Sequence, residues 1–442
     1  MSPARRYLVA GLLCFVSFLI LYGLTSRGAL QASDEVAVFA SGVALATHGT
    51  LAIDELQWLN EHVNIGQKGP DGHLYSKYFP GNVLGVALLY KLTARSNDQP
   101  YLQLGFGAPA PTELAPSATG ARWALELNAV WGALGMTALL LLLRRYFDWR
   151  TAILTVVLVG FCSDWWYQSR GLFSEVGAGA FLIAGLCLAF YEKPYASSFA
   201  LGISILFRPT NVFALPIWGK AVWRKGPVAL GSGLIIIAAG LAFAAFNYLR
   251  FGSVLNFGYG EERFGGPLFQ NLYGILLGPG RSPFVYSPIF LLAVPGAYLL
   301  FKRERLLTIL CLIVVTGYLL TIARMFNWAG GVSWGSRYLT PTVPLIGVLL
   351  APAVAYVWKN RLVAAIALLL GIMGVSVQVL AILRDPMRVM MEHVATGEID
   401  YQETLYTAHN SWLALQIRSM PSWRPCDMDS YALRHLLTNC EQ

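Results

Sequence analysis

Long apolar segments separated by short polar stretches constrain this chain more than any other feature. Hydrophobic residues make up 56% of the 442 residues, and charged residues only 13%. A run of about 20 apolar residues is long enough to cross the hydrocarbon core of a bilayer. The pattern excludes a soluble multidomain protein and predicts an all-α polytopic membrane protein.

The positive charges lie at the ends of the apolar segments. The net charge of +8 would by itself be compatible with nucleic-acid binding. However, the lysines and arginines form short clusters, which is how membrane proteins set their orientation. A nucleic-acid surface would interleave basic residues with stacking aromatics, and the sequence shows no such stripe.

The first apolar run, residues 7–26, sets the predicted orientation of the chain. It follows Arg5 and Arg6, so the N-terminus is predicted to be cytoplasmic. A cleaved signal peptide is the alternative. The run is long for a signal peptide, and residues 30–32 make a poor cleavage site.

The next apolar run, residues 79–92, is too short for an easy crossing. We therefore predict a helix that lies on the membrane or dips into it. With that choice, the segment at 123–143 runs inward and places Arg144 and Arg145 on the cytoplasmic side, as the positive-inside rule requires.

This threading predicts about eleven crossings, with the N-terminus inside and the C-terminus outside. The short spans flanking Pro209 are predicted to be bent or half-length helices. The predicted spans are residues 7–26, 123–143, 151–167, 175–191, 197–207, 212–222, 228–248, 284–300, 306–322, 341–357 and 362–382.

The same threading divides the chain into a transmembrane domain, residues 1–382, and an extracytoplasmic tail, residues 383–442. Within the first part, residues 27–122 are predicted to form a long first extracytoplasmic loop with surface helices. The tail contains Cys426 and Cys440, which are predicted to form a disulfide in an oxidising compartment. The other cysteines lie in apolar segments and are predicted to be small buried residues.

Polar residues that do not orient the spans gather on the predicted outer face. Charges at span ends are costly to desolvate, and they usually mark function or pair with one another. The alternative for each residue is a solvated loop charge. The set comprises Asp34, Glu35, Lys77, Arg170, Glu175, Arg208, Asn211, Asn247, Tyr248, Arg250, Glu261, Glu262, Arg263, Arg281, Arg324 and the run 334–338.

Chemistry on that face would need an activated donor that arrives through the membrane. No inner loop is long enough for a nucleotide-binding domain, and no phosphate-binding glycine motif follows a predicted strand. A hydroxyl acceptor attacking an anomeric carbon needs a carboxylate to take its proton, and a phosphate leaving group needs cations.

From these chemical requirements we predict roles for ten residues. Asp34 is the predicted base, with Glu35 and Glu175 as further catalytic acids. The residues predicted to bind a donor phosphate are Lys77, Tyr78, Arg170 and Arg337, and those predicted to bind the rest of the substrate are Arg208, Trp334 and Tyr338.

Some of these patterns have a structural interpretation as well. Ser33 or Asp34 is also a candidate helix N-cap ahead of an apolar run, and both roles can hold. The stretch 69–72, Gly-Pro-Asp-Gly, predicts a tight turn between two extended strands. The histidines lack metal-ligand spacing, which argues against zinc, whereas a carboxylate-bound divalent cation stays open.

Several motifs, taken in order, resemble bacterial membrane glycosyltransferases of the GT-C fold. The nearest branches are the protein-O-mannosyltransferase-like and aminoarabinose-transferase-like proteins, and the resemblance spans about residues 7–345. The motifs are Asp34-Glu35, Tyr75-Ser76-Lys77-Tyr78-Phe79-Pro80-Gly81, Ser169-Arg170-Gly171-Leu172-Phe173-Ser174-Glu175, Phe207-Arg208-Pro209-Thr210-Asn211, residues 247–253, residues 280–288 and Trp334-Gly335-Ser336-Arg337-Tyr338-Leu339.

The resemblance implies a polyprenyl-phosphate sugar as donor and an extracytoplasmic site in a bacterial inner membrane. It implies that Asp34 is the catalytic acid of the first loop, that Lys77 touches the donor phosphate, and that Glu175 is the acid after the third span. The chain lacks the second proline that many relatives have near Pro80, and it lacks the large soluble domain that some append.

The predicted function is therefore inverting transfer of a sugar from a polyprenyl-phosphate donor to a cell-envelope acceptor, which is a glycan, lipid or protein. Two alternatives stay open. One is a polysaccharide ligase or polymerase that uses a lipid-diphosphate donor. The other is a lipid-linked-sugar transporter without chemistry, which would need polar groups near the bilayer midplane. The predicted spans instead have few charges at their centres.

Overall fold

The computed structural model describes residues 3–96, 117–260 and 264–438. Residues 97–116 of the predicted first loop lie outside this set, as do Glu261, Glu262 and Arg263. Cys440 lies outside it too. Cys426 is disulfide-bonded, and its predicted pairing with Cys440 stays a prediction.

The described chain is built almost entirely from helices. They are α1 Pro3–Leu24, α2 Ser33–His48, α3 Gln57–His62, α4 Pro80–Thr93, α5 Ala118–Leu125, α6 Leu127–Leu143, α7 Trp149–Phe161, α8 Asp164–Gln168, α9 Ser174–Phe190, α10 Pro194–Phe207, α11 Leu215–Val222, α12 Pro227–Phe251, α13 Leu268–Leu276, α14 Pro283–Tyr286, α15 Ala293–Arg303, α16 Arg305–Ala323, α17 Val343–Val357, α18 Arg361–Leu383, α19 Pro386–Ala395, α20 Tyr401–Tyr406, α21 Trp412–Ser419 and α22 Tyr431–Leu437.

Shorter elements complete the described chain. Strands β1 Gly66–Lys68 and β2 Leu74–Ser76 pair antiparallel, with Gly66 opposite Ser76. The predicted turn at residues 69–72 joins them, so the predicted hairpin is confirmed. The 3₁₀ segments are Asp54–Leu56, Pro209–Ala214, Pro288–Leu292, Arg337–Thr342, Met420–Ser422 and Pro425–Asp427.

The chain is a polytopic helical membrane protein, as its sequence predicts. Among the described residues, six helices are long and apolar enough to cross a bilayer: Arg5–Leu24, Ala118–Leu143, Pro227–Phe251, Arg305–Ala323, Arg337–Val357 and Arg361–Leu383. Three more apolar helices are shorter: Trp149–Phe161, Ser174–Phe190 and Pro194–Phe207. The count of eleven crossings and the orientation of the N-terminus stay predictions.

Helix α9 lies at the centre of the bundle, because small residues let its neighbours approach closely. Phe207 of α10 packs directly against Gly177, and Leu201 packs against Gly185. Close approach at glycine is a common way to pack helices in a membrane. By contrast, α12 exposes Leu230, Leu234 and Leu241 along its length, as expected of a helix that faces lipid.

The connection from α10 to α11 is broken, as its proline predicts. Arg208 has extended backbone angles, which suit a residue before proline. Asn211 donates to the carbonyls of Ala178 and Ser204 and accepts from the Tyr318 hydroxyl at 2.6 Å. These bonds satisfy polar groups that the break would otherwise leave bare, and the break leaves Arg208 at the end of α10.

A smaller apolar core joins α2, α4 and the β-hairpin. It contains Phe39, Val86 and Ile65, and it takes in Leu172 from the connection between α8 and α9. The predicted helix at residues 79–92 is therefore observed as α4, which starts at Pro80 and packs against α2. Its position relative to the membrane surface stays a prediction.

The C-terminal segment, residues 384–438, is fastened to the ends of the first and last long helices. Ser430 donates through its hydroxyl to the carbonyl of Leu24 at 2.9 Å. The main-chain N–H groups of Asp429 and Tyr431 donate to the carbonyls of Ile382 and Ser26. The tail thus packs against the bundle at the place where α1 and α18 end.

Candidate active site

A cavity of about 600 Å³ lies where the starts of α2 and α9, the segment after β2, and the C-terminal segment meet. This volume falls in the range of about 300–1,000 Å³ that is typical of ligand pockets. Most of the predicted site residues line the cavity: Asp34, Lys77, Tyr78, Glu175, Arg208, Arg337 and Tyr338.

The two carboxylates of the cavity both sit at helix N-termini. Asp34 is the second residue of α2, and Glu175 is the second residue of α9. A negative charge in the first turn interacts favourably with the positive end of the helix dipole. The local folding of these two segments therefore places two anionic groups at the cavity wall.

Arg337 joins the two carboxylates. Its Nη1 atom lies 3.1 Å from Oδ2 of Asp34, and its Nε atom lies 3.5 Å from Oε1 of Glu175. The same Glu175 oxygen lies 3.2 Å from Nη2 of Arg208. The result is an alternating chain of charges, in which each carboxylate contacts at least one guanidinium.

Tyr78 completes the surroundings of Asp34. Its hydroxyl donates to Oδ1 of Asp34 at 2.6 Å. Burial, followed by the charge of Asp34, raises the pKa of Tyr78 well above its usual range, so the phenol keeps its proton and acts as a donor. Asp34 therefore has a phenol on one oxygen and a guanidinium on the other.

Lys77 enters the cavity from the segment between β2 and α4. Its main-chain N–H donates to the carbonyl of Ile65 at 3.0 Å, which extends the hairpin pairing by one residue. The ammonium lies 5.3 Å from the centre of the Tyr259 ring and 5.8 Å from that of Tyr78. Aromatic faces at this distance stabilise a cation.

Aromatic rings also lie next to the guanidinium groups of the cavity arginines. The Arg337 guanidinium is 4.4 Å from the ring centre of Phe173, and that of Arg208 is 5.1 Å from the ring centre of Tyr338. The cavity therefore combines three cations, two carboxylates and several aromatic faces among its described lining residues.

Glu35 lies outside the cavity lining, although it is next to Asp34. Its Oε2 atom accepts from the main-chain N–H groups of Gln31 and Ala32, at 3.0 and 3.1 Å. The helix cap predicted for Ser33 or Asp34 is therefore wrong. The cap residue is Ala32, which has no capping side chain, and Glu35 reaches back from the third helical position to satisfy these amides.

The other oxygen of Glu35 faces the segment before α9. It accepts from the main-chain N–H of Leu172 at 2.8 Å and lies 3.4 Å from Nη1 of Arg27. Gly171 is required here, because a Cβ atom at that position would collide with the Glu35 carboxylate. Part of the motif at residues 169–175 thus holds α2 against the start of α9.

Arg170 and Trp334 also lie outside the lining. Arg170 donates to the carbonyls of Thr25 and Asp429 and pairs with the Asp429 carboxylate at 3.1 Å. Trp334 is fully buried, with its ring edge-on to Tyr286 at 4.9 Å. The structure places neither side chain where it would touch a ligand in the cavity.

The sequence-based prediction missed part of the lining. Met387 and Met391 come from the C-terminal segment, and Tyr259 comes from the loop after α12. Met387 packs with Ala32 and Phe173, so the tail forms an apolar wall close to Asp34. Glycines flank Tyr259 on both sides, a pattern that indicates a loop and was the available sequence signal. No sequence pattern marked the two methionines.

The donor set of the cavity fits a divalent cation poorly. Asp34 and Glu175 would have to supply its carboxylates, and the Arg337 guanidinium already lies against both. Elsewhere in the described ranges, no group of three or more His, Cys, Asp or Glu residues could hold a metal ion. We assign no chemical step to a metal ion.

Comparisons with known proteins add the fold. No protein-family model and no curated protein matches the sequence. A crystal structure of ArnT from Cupriavidus metallidurans in the apo state matches over 98% of this chain and 78% of its own, with 15% identity and a TM-score of 0.51. ArnT is a GT-C aminoarabinose transferase.

The chain has the GT-C fold.

A second ArnT structure, bound to undecaprenyl phosphate, matches over 98% of this chain and 77% of its own, with 13% identity and a TM-score of 0.50. The archaeal oligosaccharyltransferase AglB from Archaeoglobus fulgidus, in complex with an inhibitory peptide and a dolichol-phosphate, covers 85% of this chain and 55% of its own, with 13% identity and a TM-score of 0.46. The GT-C resemblance predicted from the motifs is confirmed at the level of the fold.

Proposed function

We propose that this protein is a membrane glycosyltransferase that transfers a sugar from a polyprenyl-phosphate donor to a hydroxyl acceptor of the cell envelope. One observation carries the proposal. The described cavity lining brings together the carboxylates of Asp34 and Glu175 and the cations Lys77, Arg208 and Arg337. The surplus of positive charge suits an incoming phosphate, and the carboxylates suit proton transfer from an acceptor.

In the proposed reaction, the acceptor oxygen forms a bond to the anomeric carbon while the bond from that carbon to the donor phosphate breaks. The hydroxyl proton moves to Asp34, and the bonding electrons leave with the polyprenyl phosphate. Attack opposite the leaving group inverts the anomeric centre. Tyr78 and Arg337, which hold the two oxygens of Asp34, orient that carboxylate toward the acceptor.

The leaving phosphate gains negative charge as the bond breaks, so cations beside it lower the barrier. Lys77 and Arg208 are assigned to this role, since Arg337 already lies against Asp34 and Glu175. Glu175 keeps Arg208 and Arg337 in place through its Oε1 atom. Tyr338 supports Arg208 from below and offers a ring face to the sugar.

The compartment follows from the predicted orientation. Arg144 and Arg145 would face the cytoplasm, which puts the cavity on the extracytoplasmic side of the bacterial inner membrane. The acceptor is then an envelope glycan, lipid or protein. ArnT has been crystallised with undecaprenyl phosphate, and this supports the donor class proposed here.

The test uses the purified full-length protein in lipid nanodiscs. Radiolabelled sugars on undecaprenyl phosphate and on undecaprenyl diphosphate are offered with an envelope extract as acceptor, and both sugar transfer and lipid release are measured. Transfer from the monophosphate donor, lost in Asp34→Asn, is the expected result. Transfer from the diphosphate alone would indicate a ligase or polymerase. In a parallel reconstitution into sealed liposomes, movement of labelled lipid between the leaflets without sugar transfer would indicate a transporter.

A further inference from the structure

Arg250 is a buried cation that the cavity chemistry does not use. It lies in the last turn of α12 and is 1% exposed. Among the described residues, no carboxylate forms an ion pair with it. Its Nη2 atom donates to Oδ1 of Asn247 at 2.9 Å, and the guanidinium lies between the rings of Phe246 and Phe251, 4.0 and 4.6 Å from their centres. Burial of a cation is costly unless the cation is paired or hydrogen-bonded, and the described hydrogen bonds of Arg250 go to neutral oxygens.

Two of these hydrogen bonds reach the segment that carries Lys77. The Nη1 atom of Arg250 donates to the main-chain carbonyl of Ser76 and, at 3.0 Å, to that of Tyr78. These two carbonyls stand on either side of Lys77. The guanidinium therefore holds the backbone of residues 76–78 without lining the cavity itself, whereas Lys77 and Tyr78 both line it.

The segment has little other regular support. Strand β2 ends at Ser76, and α4 begins at Pro80, so the residues between them belong to neither element. Two further bonds fix it: the N–H of Lys77 donates to Ile65, and that of Tyr78 donates to the Ser76 hydroxyl at 3.2 Å. Both of these bonds use main-chain N–H groups of the segment as donors, whereas Arg250 donates to the main-chain carbonyls of the segment.

The hairpin and the end of α12 are shaped to meet at this point. A Cβ atom on Gly69 would collide with the Arg250 carbonyl, and Gly252, at φ +66°, packs against Pro70. Two glycines thus let the tip of the hairpin rest on the last turn of α12. This contact brings the Arg250 side chain within reach of the Lys77 segment.

We propose that Arg250 is a positioning residue for donor binding, which sets the place of the Lys77 ammonium and the Tyr78 hydroxyl through their own backbone. The inference rests on the proposed function, because it assigns the donor phosphate to Lys77. It also reaches Asp34, since Tyr78 donates to that carboxylate at 2.6 Å. Lysine cannot fully replace Arg250, because the guanidinium uses three nitrogens at once: Nη1 for the two carbonyls, Nη2 for Asn247 and Nε for the carbonyl of Phe246. An ammonium has a single nitrogen on a flexible stem.

The test compares Arg250→Lys with Arg384→Lys. Arg384 also donates to a main-chain carbonyl, but that carbonyl belongs to Ser419, which does not line the cavity, so Arg384 is the matched control. We expect Arg250→Lys to weaken binding of undecaprenyl phosphate to the full-length protein by roughly 10- to 100-fold, since small misplacement of a positioned group has effects of this size. Arg384→Lys should bind as the wild type does.

A double-mutant cycle identifies the route. If Arg250 acts through Lys77, Arg250→Lys should weaken lipid-phosphate binding much less in a Lys77→Ala background than in the wild type. Equal weakening in both backgrounds would overturn the proposal. In turnover, the KM for the donor should rise while the KM for the acceptor stays unchanged.

A second readout does not depend on any ligand. Hydrogen–deuterium exchange at the N–H groups of Lys77 and Tyr78 should be faster in Arg250→Lys and unchanged in Arg384→Lys. If the wild type fails to bind undecaprenyl phosphate, the proposed donor class is wrong, and the exchange rates still decide whether Arg250 holds the segment. Unchanged exchange would overturn the proposal.

A milder variant covers the case in which Arg250→Lys does not fold. Asn247→Ala removes the acceptor for the Nη2 atom of Arg250 and leaves both carbonyl bonds in place. It should shift exchange at residues 77–78 and lipid-phosphate affinity in the same direction by a smaller factor. No shift in either quantity would count against the proposal.

Discussion

The Oε1 atom of Glu35 accepts a hydrogen bond of 2.8 Å from the main-chain N–H of Leu172. Asp34 precedes Glu35 in the chain, and Glu175 follows Leu172 by three residues. This single bond therefore fixes the start of α2 against the start of α9, and with them the two carboxylates of the cavity. Glu35 is therefore next to the proposed catalytic residue in the chain, and its own role is to hold the framework of the cavity.

Removal of the Glu35 carboxylate should destabilise the fold. Glu35→Ala leaves the amides of Ala32 and Leu172 without an acceptor and Arg27 without its nearest carboxylate. We expect a loss of about 3 kcal/mol in the free energy of unfolding, the scale for breaking a buried pair. Unfolding in mixed micelles measures it. Glu61→Ala, on the exposed face of α3, is the control and should change little.

Gly171→Ala tests the same contact from the other side. The new methyl group would meet the Glu35 carboxylate, so either the carboxylate or the segment before α9 must move. Overpacking of this kind costs about 1–3 kcal/mol, which thermal unfolding should show as a lower Tm. Gly240→Ala has no atom within 4 Å and should be neutral or stabilising. Equal Tm values for the two variants would contradict the proposed contact between Glu35 and the segment before α9.

Asp34→Asn separates a base from a structural acid. The amide keeps the shape of the side chain and can still accept from Tyr78, but it takes no proton from an acceptor. Loss of a general base lowers turnover by about 10²–10⁴-fold, and we expect that loss with a Tm close to that of the wild type. Initial rates with saturating donor measure it. Near wild-type rates would move the base assignment to Glu175.

Lys77→Ala should act on the donor. With its ammonium removed, the cavity loses one of the cations proposed to face the leaving phosphate, so the donor KM should rise and kcat should fall. Lys68→Ala, in the exposed part of the hairpin, removes the same charge from the neighbouring strand. If both substitutions weaken donor binding equally, the effect is a long-range field and Lys77 has no specific contact.

The C-terminal segment should respond to pH through Asp385. Burial, followed by the nearby charge of Asp429, raises the pKa of Asp385 above its usual range. An aspartate whose pKa is higher in the folded state than in the unfolded state contributes stability at low pH, and this contribution falls as pH rises from about 4 through the folded-state pKa. Its carboxylate also caps α19 by accepting from Met387 at 2.9 Å.

Asp385→Asn keeps that cap and removes the titration. We therefore expect the variant to exceed the wild type in Tm by a margin that grows between pH 5 and pH 8. Thermal unfolding at intervals across this range measures the margin. Asp400 caps the exposed start of α20, so Asp400→Asn is the matched control for loss of a carboxylate at a helix start. A margin for Asp385→Asn that stays constant across this pH range would contradict the raised pKa.

The sequence was sufficient to predict several of the segments that converge on the cavity. Asp34, Glu175, Arg208 and Arg337 each stand at the end of an apolar segment, and the alternation of spans brings such ends to one face. Lys77 follows a turn signal that predicted a hairpin. In these cases the information is local, because segment length and charge placement decide it.

The direction in which individual side chains point could not be predicted from the sequence. Consecutive residues on a helix point about 100° apart, so of the neighbours Asp34 and Glu35 only one faces the cavity, and composition does not say which. Arg170 was predicted to bind phosphate, and its position instead depends on Asp429, which lies 259 residues later in the chain. Contacts of that range carry no local pattern.

The attachment of the C-terminal segment has a consequence for how the molecule is made. Arg27 and Arg170 share the carboxylate of Asp429, while Ser430 and Tyr431 bind the carbonyls at the end of α1. During synthesis, Arg170 therefore leaves the ribosome 259 residues ahead of the carboxylate with which it pairs. A polypeptide interrupted before residue 429 would carry the residues of the proposed chemistry and still leave this buried guanidinium without its ion-pair partner.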